Sequence, residues 1–70
     1  MFGIGFIGSG NMGGAIARGI IKSGAVDAHE VFVYDANPAA SRALAEDTGA
    51  TVVDTPEELS RVAQILVLAV

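Results

Sequence analysis

Gly8, Gly10 and Gly13 carry the spacing G-x-G-x-x-G in the run Gly8-Ser9-Gly10-Asn11-Met12-Gly13, directly after the apolar stretch Phe2-Gly3-Ile4-Gly5-Phe6-Ile7. A buried strand that leaves through such a turn into a helix can seat the pyrophosphate of a dinucleotide. Gly8 permits the tight turn, Gly10 lets the backbone approach the phosphates, and Gly13 lets helix and strand pack closely. The helix opening there aims unpaired N–H groups and the positive end of its dipole at the anion. Ser9 reads as a small residue of the phosphate loop, since no base lies near it in sequence to make it a nucleophile. Asp35 ends a second apolar run, Val31-Phe32-Val33-Tyr34, roughly 20 residues past the glycines, where a carboxylate accepts hydrogen bonds from the adenosine ribose. The bland alternative is a glycine-rich turn and a strand-ending acid in an unrelated α/β protein. Strand, turn, helix, strand and acid in that order argue against it.

The elements that must hold these residues alternate. A first strand is expected over 2–7, nearly continuous in hydrophobicity, as a strand buried on both faces should be. A helix follows over 11–23, with Met12, Ile16, Gly19, Ile20 and Ser23 as its sheet-facing stripe. Ala15 and Gly19 are read as small where the helix presses on strand backbone, Arg18 and Lys22 as a solvated face, and Gly24 as the left-handed cap. Residues 25–30 connect to a second strand over 31–35. Asn37 caps a helix over 38–48 with Pro38 at its first position. Leu44 is its main apolar contact, aided by Ala40 and Ala43, and Gly49 is its stop. A short strand over 51–53 precedes Thr55-Pro56-Glu57-Glu58, a capping box, then a helix to about Val62 and a last strand over 65–70. The fold class is α/β: a Rossmann-like parallel sheet, first half only, with strand order 3-2-1-4 and right-handed crossovers.

Composition limits the alternatives. The chain has 70 residues, 8 acids against 4 bases, net charge −4, 51% hydrophobic residues and no cysteine. The acidic balance argues against nucleic acid, and without cysteine there are no disulfides or thiolate metal sites. His29, the single histidine, is placed in a solvated connector, and no metal site is expected. No apolar run approaches the ~18 residues of a membrane span, and no basic leader precedes the first strand; the expectation is a cytoplasmic protein. A full dinucleotide domain needs two such halves. The closing run Ile65-Leu66-Val67-Leu68-Ala69-Val70 is apolar throughout and reads as the N-terminal part of a larger NAD(P)-binding domain.

The stretch from Gly5 to Gly13, followed by Ala15-Ile16-Ala17-Arg18-Gly19 and Lys22-Ser23-Gly24, closely resembles the N-terminus of pyrroline-5-carboxylate reductases. Leu68-Ala69-Val70 is similar to that family's fourth strand. The β-hydroxyacid dehydrogenases share a similar opening. The long connector from Gly24 to Glu30 and the Leu-Ala-Val ending favour the reductases. A non-catalytic dinucleotide-binding module is the alternative from another class.

The resemblance implies reduction of 1-pyrroline-5-carboxylate to L-proline with NAD(P)H, in a homo-oligomer. Its substrate site lies in a helical C-terminal domain absent from these residues, so no catalytic residue is expected here and the chain alone should be inactive. Ser9 to Met12 would cradle the pyrophosphate, with the Asn11 and Met12 side chains lining the nicotinamide side; for Met12, core packing weighs equally. Ala69 and Val70 would reach the carboxyl edge of the sheet. Ala36 stands where relatives often carry an arginine for a 2′-phosphate, while Asn37 and Arg42 could still contact one. NADP(H) is expected on family grounds, with NAD(H) possible because Asp35 would repel that phosphate. Gly14 departs from the family's usual larger helix former and should cost about 1 kcal/mol relative to alanine.

Overall fold

The computed structural model describes residues 3–8 and 11–68. Strands β1 (Ile4–Ile7), β2 (Val31–Tyr34), β3 (Thr51–Val52) and β4 (Ile65–Leu68) alternate with helices α1 (Asn11–Lys22), α2 (Pro38–Thr48) and α3 (Pro56–Val62). They form one parallel sheet in the order β3-β2-β1-β4, the Rossmann-like half expected from the sequence. Ile7 is level with Tyr34 on β2 and Leu68 on β4, so these three strands finish at one carboxyl edge. Phe2, Ala69 and Val70 of the expected strands lie outside the described residues.

Side chains alternate across a strand, and that alternation sorts the layers. Phe6, Val31 and Val33 share one face and are fully buried with Ala17 of α1 and Leu44 of α2; Ile4, Ile20, Ile21, Val26 and Val67 pack around them. Gly5 points to the other face, where a Cβ would lie 2.8 Å from Leu59 of α3. A Cβ on Gly3 would strike the Val62 carbonyl. Gly3 and Gly5, just before and within β1, are therefore the floor on which α3 rests, and Leu59 is its buried anchor.

The buried stripe of α1 differs from the expected one. Gly13, Gly14 and Ala17 are buried, whereas Ile16 is 41% exposed and Gly19 and Ser23 are exposed. Nothing lies within 4 Å of a Cβ placed on Gly19, and Ala15 is exposed. The stripe is turned by one residue, about 100°, because a helix pressed against strand backbone admits small residues first. Gly14 thus occupies a buried position.

The caps follow local chemistry. Gly24 and Gly49 adopt φ of 81° and 86° and end α1 and α2 as left-handed caps. Asn37 accepts from the Ala39 N–H at 3.1 Å with Pro38 behind it. Thr55 Oγ1 accepts from the Glu58 N–H at 3.1 Å. The return half of that box is shifted: Glu58 Oε1 accepts from the Asp54 N–H at 2.9 Å, one residue before the cap. The 25–30 connector holds a reciprocal box of its own around a 3₁₀ turn, Ala28–Glu30. There Asp27 Oδ1 accepts from the His29 N–H and Glu30 Oε1 from the Asp27 N–H. In α2, Leu44 is buried as expected, Ala43 is exposed, and Ser41 is the unexpected inward residue. Its hydroxyl donates to the Pro38 carbonyl at 3.2 Å, which satisfies the buried polar group.

Candidate dinucleotide site

β1 ends at Ile7, and the chain turns at once through Gly8, whose φ is 90°. A Cβ is disfavoured in that region, which is why the turn requires glycine. The Gly8 N–H donates to the Tyr34 carbonyl at 2.8 Å. Tyr34 is the last residue of β2, so this bond holds the start of the glycine turn against the strand end that carries Asp35. Residues far apart in sequence thereby meet at the carboxyl edge of the sheet.

Asp35 is half-buried, and its Oδ1 accepts from the Asn37 N–H at 2.8 Å. Ala36 and Asn37 are exposed beside it. The Asn37 side chain is turned back onto α2 as its cap. Beyond the glycine turn, the backbone of Asn11, Met12 and Gly13 forms the first turn of α1, and Gly13 is buried. Ser9, Gly10, Ala69 and Val70 lie outside the described residues, as do the side chains of Asn11 and Met12. Of the expected set, Gly8, Asp35, Ala36 and Asn37 are thus gathered at one edge, with the start of α1.

The remaining singled-out residues lie elsewhere. His29 precedes β2 and sits at the opposite edge of the sheet. Its ring Nδ1 is 2.7 Å from Asp27 Oδ1, and that hydrogen bond lowers the Asp27 carboxyl below its ordinary value. Arg18 does not simply face solvent: its Nε donates to Asp47 Oδ2 at 2.6 Å, tying α1 to the last turns of α2. The guanidinium hydrogen bond and charge hold Asp47 below its ordinary carboxyl value. No sequence periodicity relates these two residues, so only the packing of the helices could reveal the pair. Among the described residues, no three His, Asp or Glu side chains cluster to hold a metal ion. No described helix is long and apolar enough to cross a membrane.

A parallel sheet in this order, with a left-handed glycine turn after β1 joined to an acid-bearing β2, defines the NAD(P)-binding half of a Rossmann-like domain. Comparison with known proteins agrees. Residues 3–70 match the family described as NADP oxidoreductase, coenzyme F420-dependent, and the chain belongs to that family. It is homologous to the N-terminal region of proteins named pyrroline-5-carboxylate reductase. The one from Escherichia coli (strain K12) is 40% identical over 96% of this chain and 25% of its own length. The one from Pisum sativum is 33% identical over 96% of this chain and 24% of its own. The chain therefore spans about a quarter of the relatives it matches.

Proposed function

We propose that the chain is the cofactor-binding portion of a pyrroline-5-carboxylate reductase that, intact, reduces 1-pyrroline-5-carboxylate to L-proline. The observation carrying the reading is the 2.8 Å bond from the Gly8 N–H to the Tyr34 carbonyl. That bond sets Gly8 beside the end of β2 that precedes Asp35, which supports a reading in which the glycine turn receives the pyrophosphate and the acid receives the ribose. The 33–40% identity to the named reductases supports the substrate.

In this reading the backbone from Ser9 to Met12, including Gly10, receives the pyrophosphate, and Gly13 allows α1 to approach it. Asp35 accepts from the ribose hydroxyls, and Ala36 and Asn37 flank that sugar. On the family pattern Ala69 and Val70 would contact the cofactor, and Asn11 and Met12 would do so on its nicotinamide side. A bound nicotinamide dinucleotide supplies the hydride that reduces the C=N carbon of the cyclic imine. This chain's part is to bind the cofactor and fix its orientation. Substrate contacts and the homo-oligomer interface belong to the remainder of a cytoplasmic enzyme, so the 70-residue chain alone gives no turnover.

Isothermal titration with ADP-ribose and with NAD(P)H tests the binding claim, using Gly8→Ala as the control. Alanine at φ 90° costs about 1–2 kcal/mol or more, and its Cβ disturbs the turn. Saturable one-to-one binding that weakens in Gly8→Ala, with the circular-dichroism spectrum retained, is expected. Absence of saturable binding to every ligand refutes the reading. Turnover with 1-pyrroline-5-carboxylate and NADPH above the buffer rate overturns the claim of inactivity.

A further inference from the structure

We propose that Gln64 is a positioning residue: clasped to Gly3, it fixes the register in which β4 lies on β1, and with it where the end of β4 meets a bound dinucleotide. The register stands on the structure alone; its effect on the cofactor rests on the dinucleotide reading above.

The strand itself carries little that chooses a register. β4 reads Ile-Leu-Val-Leu, apolar on both faces. Register is strongly specified where one face of a strand must be buried. Phe6, Val31 and Val33 meet that condition for β1 and β2 by being fully buried. No side chain of β4 is: Ile65, Leu66 and Leu68 are exposed and Val67 is half-buried. Among the described residues, only β1 pairs with this strand.

The missing instruction sits one residue before the strand. The Gly3 N–H donates to Gln64 Oε1. The Gly3 carbonyl accepts from the Gln64 N–H at 2.8 Å and from the Ile65 N–H at 3.2 Å. Gln64 thus engages both backbone groups of Gly3. Gly3 is buried, and a Cβ there would strike the Val62 carbonyl, so the end of α3 hems it in and it cannot follow a sliding strand. A slip of β4 by one residue brings Ala63 or Ile65 opposite Gly3, and neither side chain has an acceptor. The buried Gly3 N–H then loses its partner, which is costly for a buried donor. The pairing of Ile4 with Ile65 through Ile7 with Leu68 is the one that keeps it. A one-residue slip moves the carboxyl end of β4 by about 3.3 Å and exchanges its two faces. Ala69 and Val70, next in sequence, are cofactor contacts on the family pattern, so a pin at one end of the sheet acts on binding at the other.

The test uses two variants: Gln64→Leu removes the acceptor at similar volume, and Gln64→Glu keeps one. Inter-strand NOEs read the register by NMR, and the parent should show Phe6 beside Val67 and Ile7 beside Leu68. Gln64→Leu should add a second set of β4 signals, with Phe6 beside Leu66 or Leu68. Its apparent Kd for NAD(H) should rise as the inverse of the native-register fraction, about twofold when the two registers are equally populated. A loss of stability alone leaves one set of β4 signals and the affinity of the folded protein intact. Gln64→Glu should hold a single register, with the Gly3 amide resonance following titration of the new carboxylate; this readout stands even where Gln64→Leu fails to fold. A single native register in folded Gln64→Leu overturns the proposal, as does a Gly3 amide indifferent to that titration or a slipped register with unchanged affinity. If the parent binds no dinucleotide, the function proposed above fails, while the NOEs still decide whether Gln64 sets the register.

Discussion

Gly5→Ala should destabilise the fold, and shortening Leu59 should recover part of the loss. A Cβ on Gly5 would stand 2.8 Å from both Cδ1 and Cγ of Leu59 and 3.0 Å from Cβ of Ala63. Optimal carbon–carbon separation is about 3.5–4.0 Å, so one methyl must displace three atoms at once. Leu59 has no exposed surface into which it can swing. Ala63 is held at the end of α3 by its N–H bond to the Leu59 carbonyl at 3.0 Å. The helix itself must lift from β1. Overpacking of this kind costs about 1–3 kcal/mol, partly offset by the roughly 0.5–1 kcal/mol by which alanine outperforms glycine within a strand. A net loss of about 1–2 kcal/mol is expected. Leu59→Ala alone should cost about 2–5 kcal/mol through lost burial and the cavity it leaves.

In the double variant the new methyl enters that cavity. The combined loss should fall short of the sum of the single losses by at least about 1 kcal/mol. Urea unfolding followed by far-ultraviolet circular dichroism measures all four corners of the cycle. Because a domain this small holds only about 3–5 kcal/mol, a stabilising osmolyte should be included throughout. Leu59→Val provides a milder second cycle. Additivity within about 0.3–0.5 kcal/mol, or a neutral Gly5→Ala, would refute the packing argument.

Two further predictions concern the surface. Asp47 has its carboxyl pKa held below the ordinary 3.8 by Arg18, so the pair stabilises the fold fully above that value, and the stabilisation is lost as pH falls through the lower folded value. The melting-temperature gap between the parent and Asp47→Asn should therefore be open at pH 7 and close in strong acid; a gap that widens on acidification would contradict this. β4 is an edge strand whose Ile65, Leu66 and Leu68 are 45%, 46% and 71% exposed. Such an edge invites pairing, so the chain should self-associate in sedimentation as concentration rises and Leu68→Lys should suppress it. A clean monomer at high concentration would count against the idea.

Elements whose signals are local were legible before folding. Asn37-Pro38 and Gly49 bracket α2 at the same residues in sequence and structure, because a cap and a stop act within one turn of chain. The same holds for Gly24, and for Thr55 as the cap of α3. Where a local signal had a competitor, the reading slipped. Glu58 took the Asp54 N–H in place of its cap's. The Asp27–Glu30 box carried an acid at either end and passed as a plain connector. The α1 stripe was misread at Ile16, a large apolar residue that periodicity favours and that is exposed in the fold. Close contact with the sheet selects the small ones instead.

For the site, the amino-acid sequence by itself determined the glycine turn, the acid that follows β2 and the alternation of elements that makes a parallel sheet. Each is encoded within a few neighbouring residues, through a φ only glycine accepts or a continuous apolar run. Tertiary structure decided what depends on long-range approach. It brought the Gly8 N–H onto the Tyr34 carbonyl, paired Arg18 with Asp47, and set Gly5 beneath Leu59. Such contacts form only when strands adopt a register and helices settle on a sheet, and no spacing along the chain records that distance.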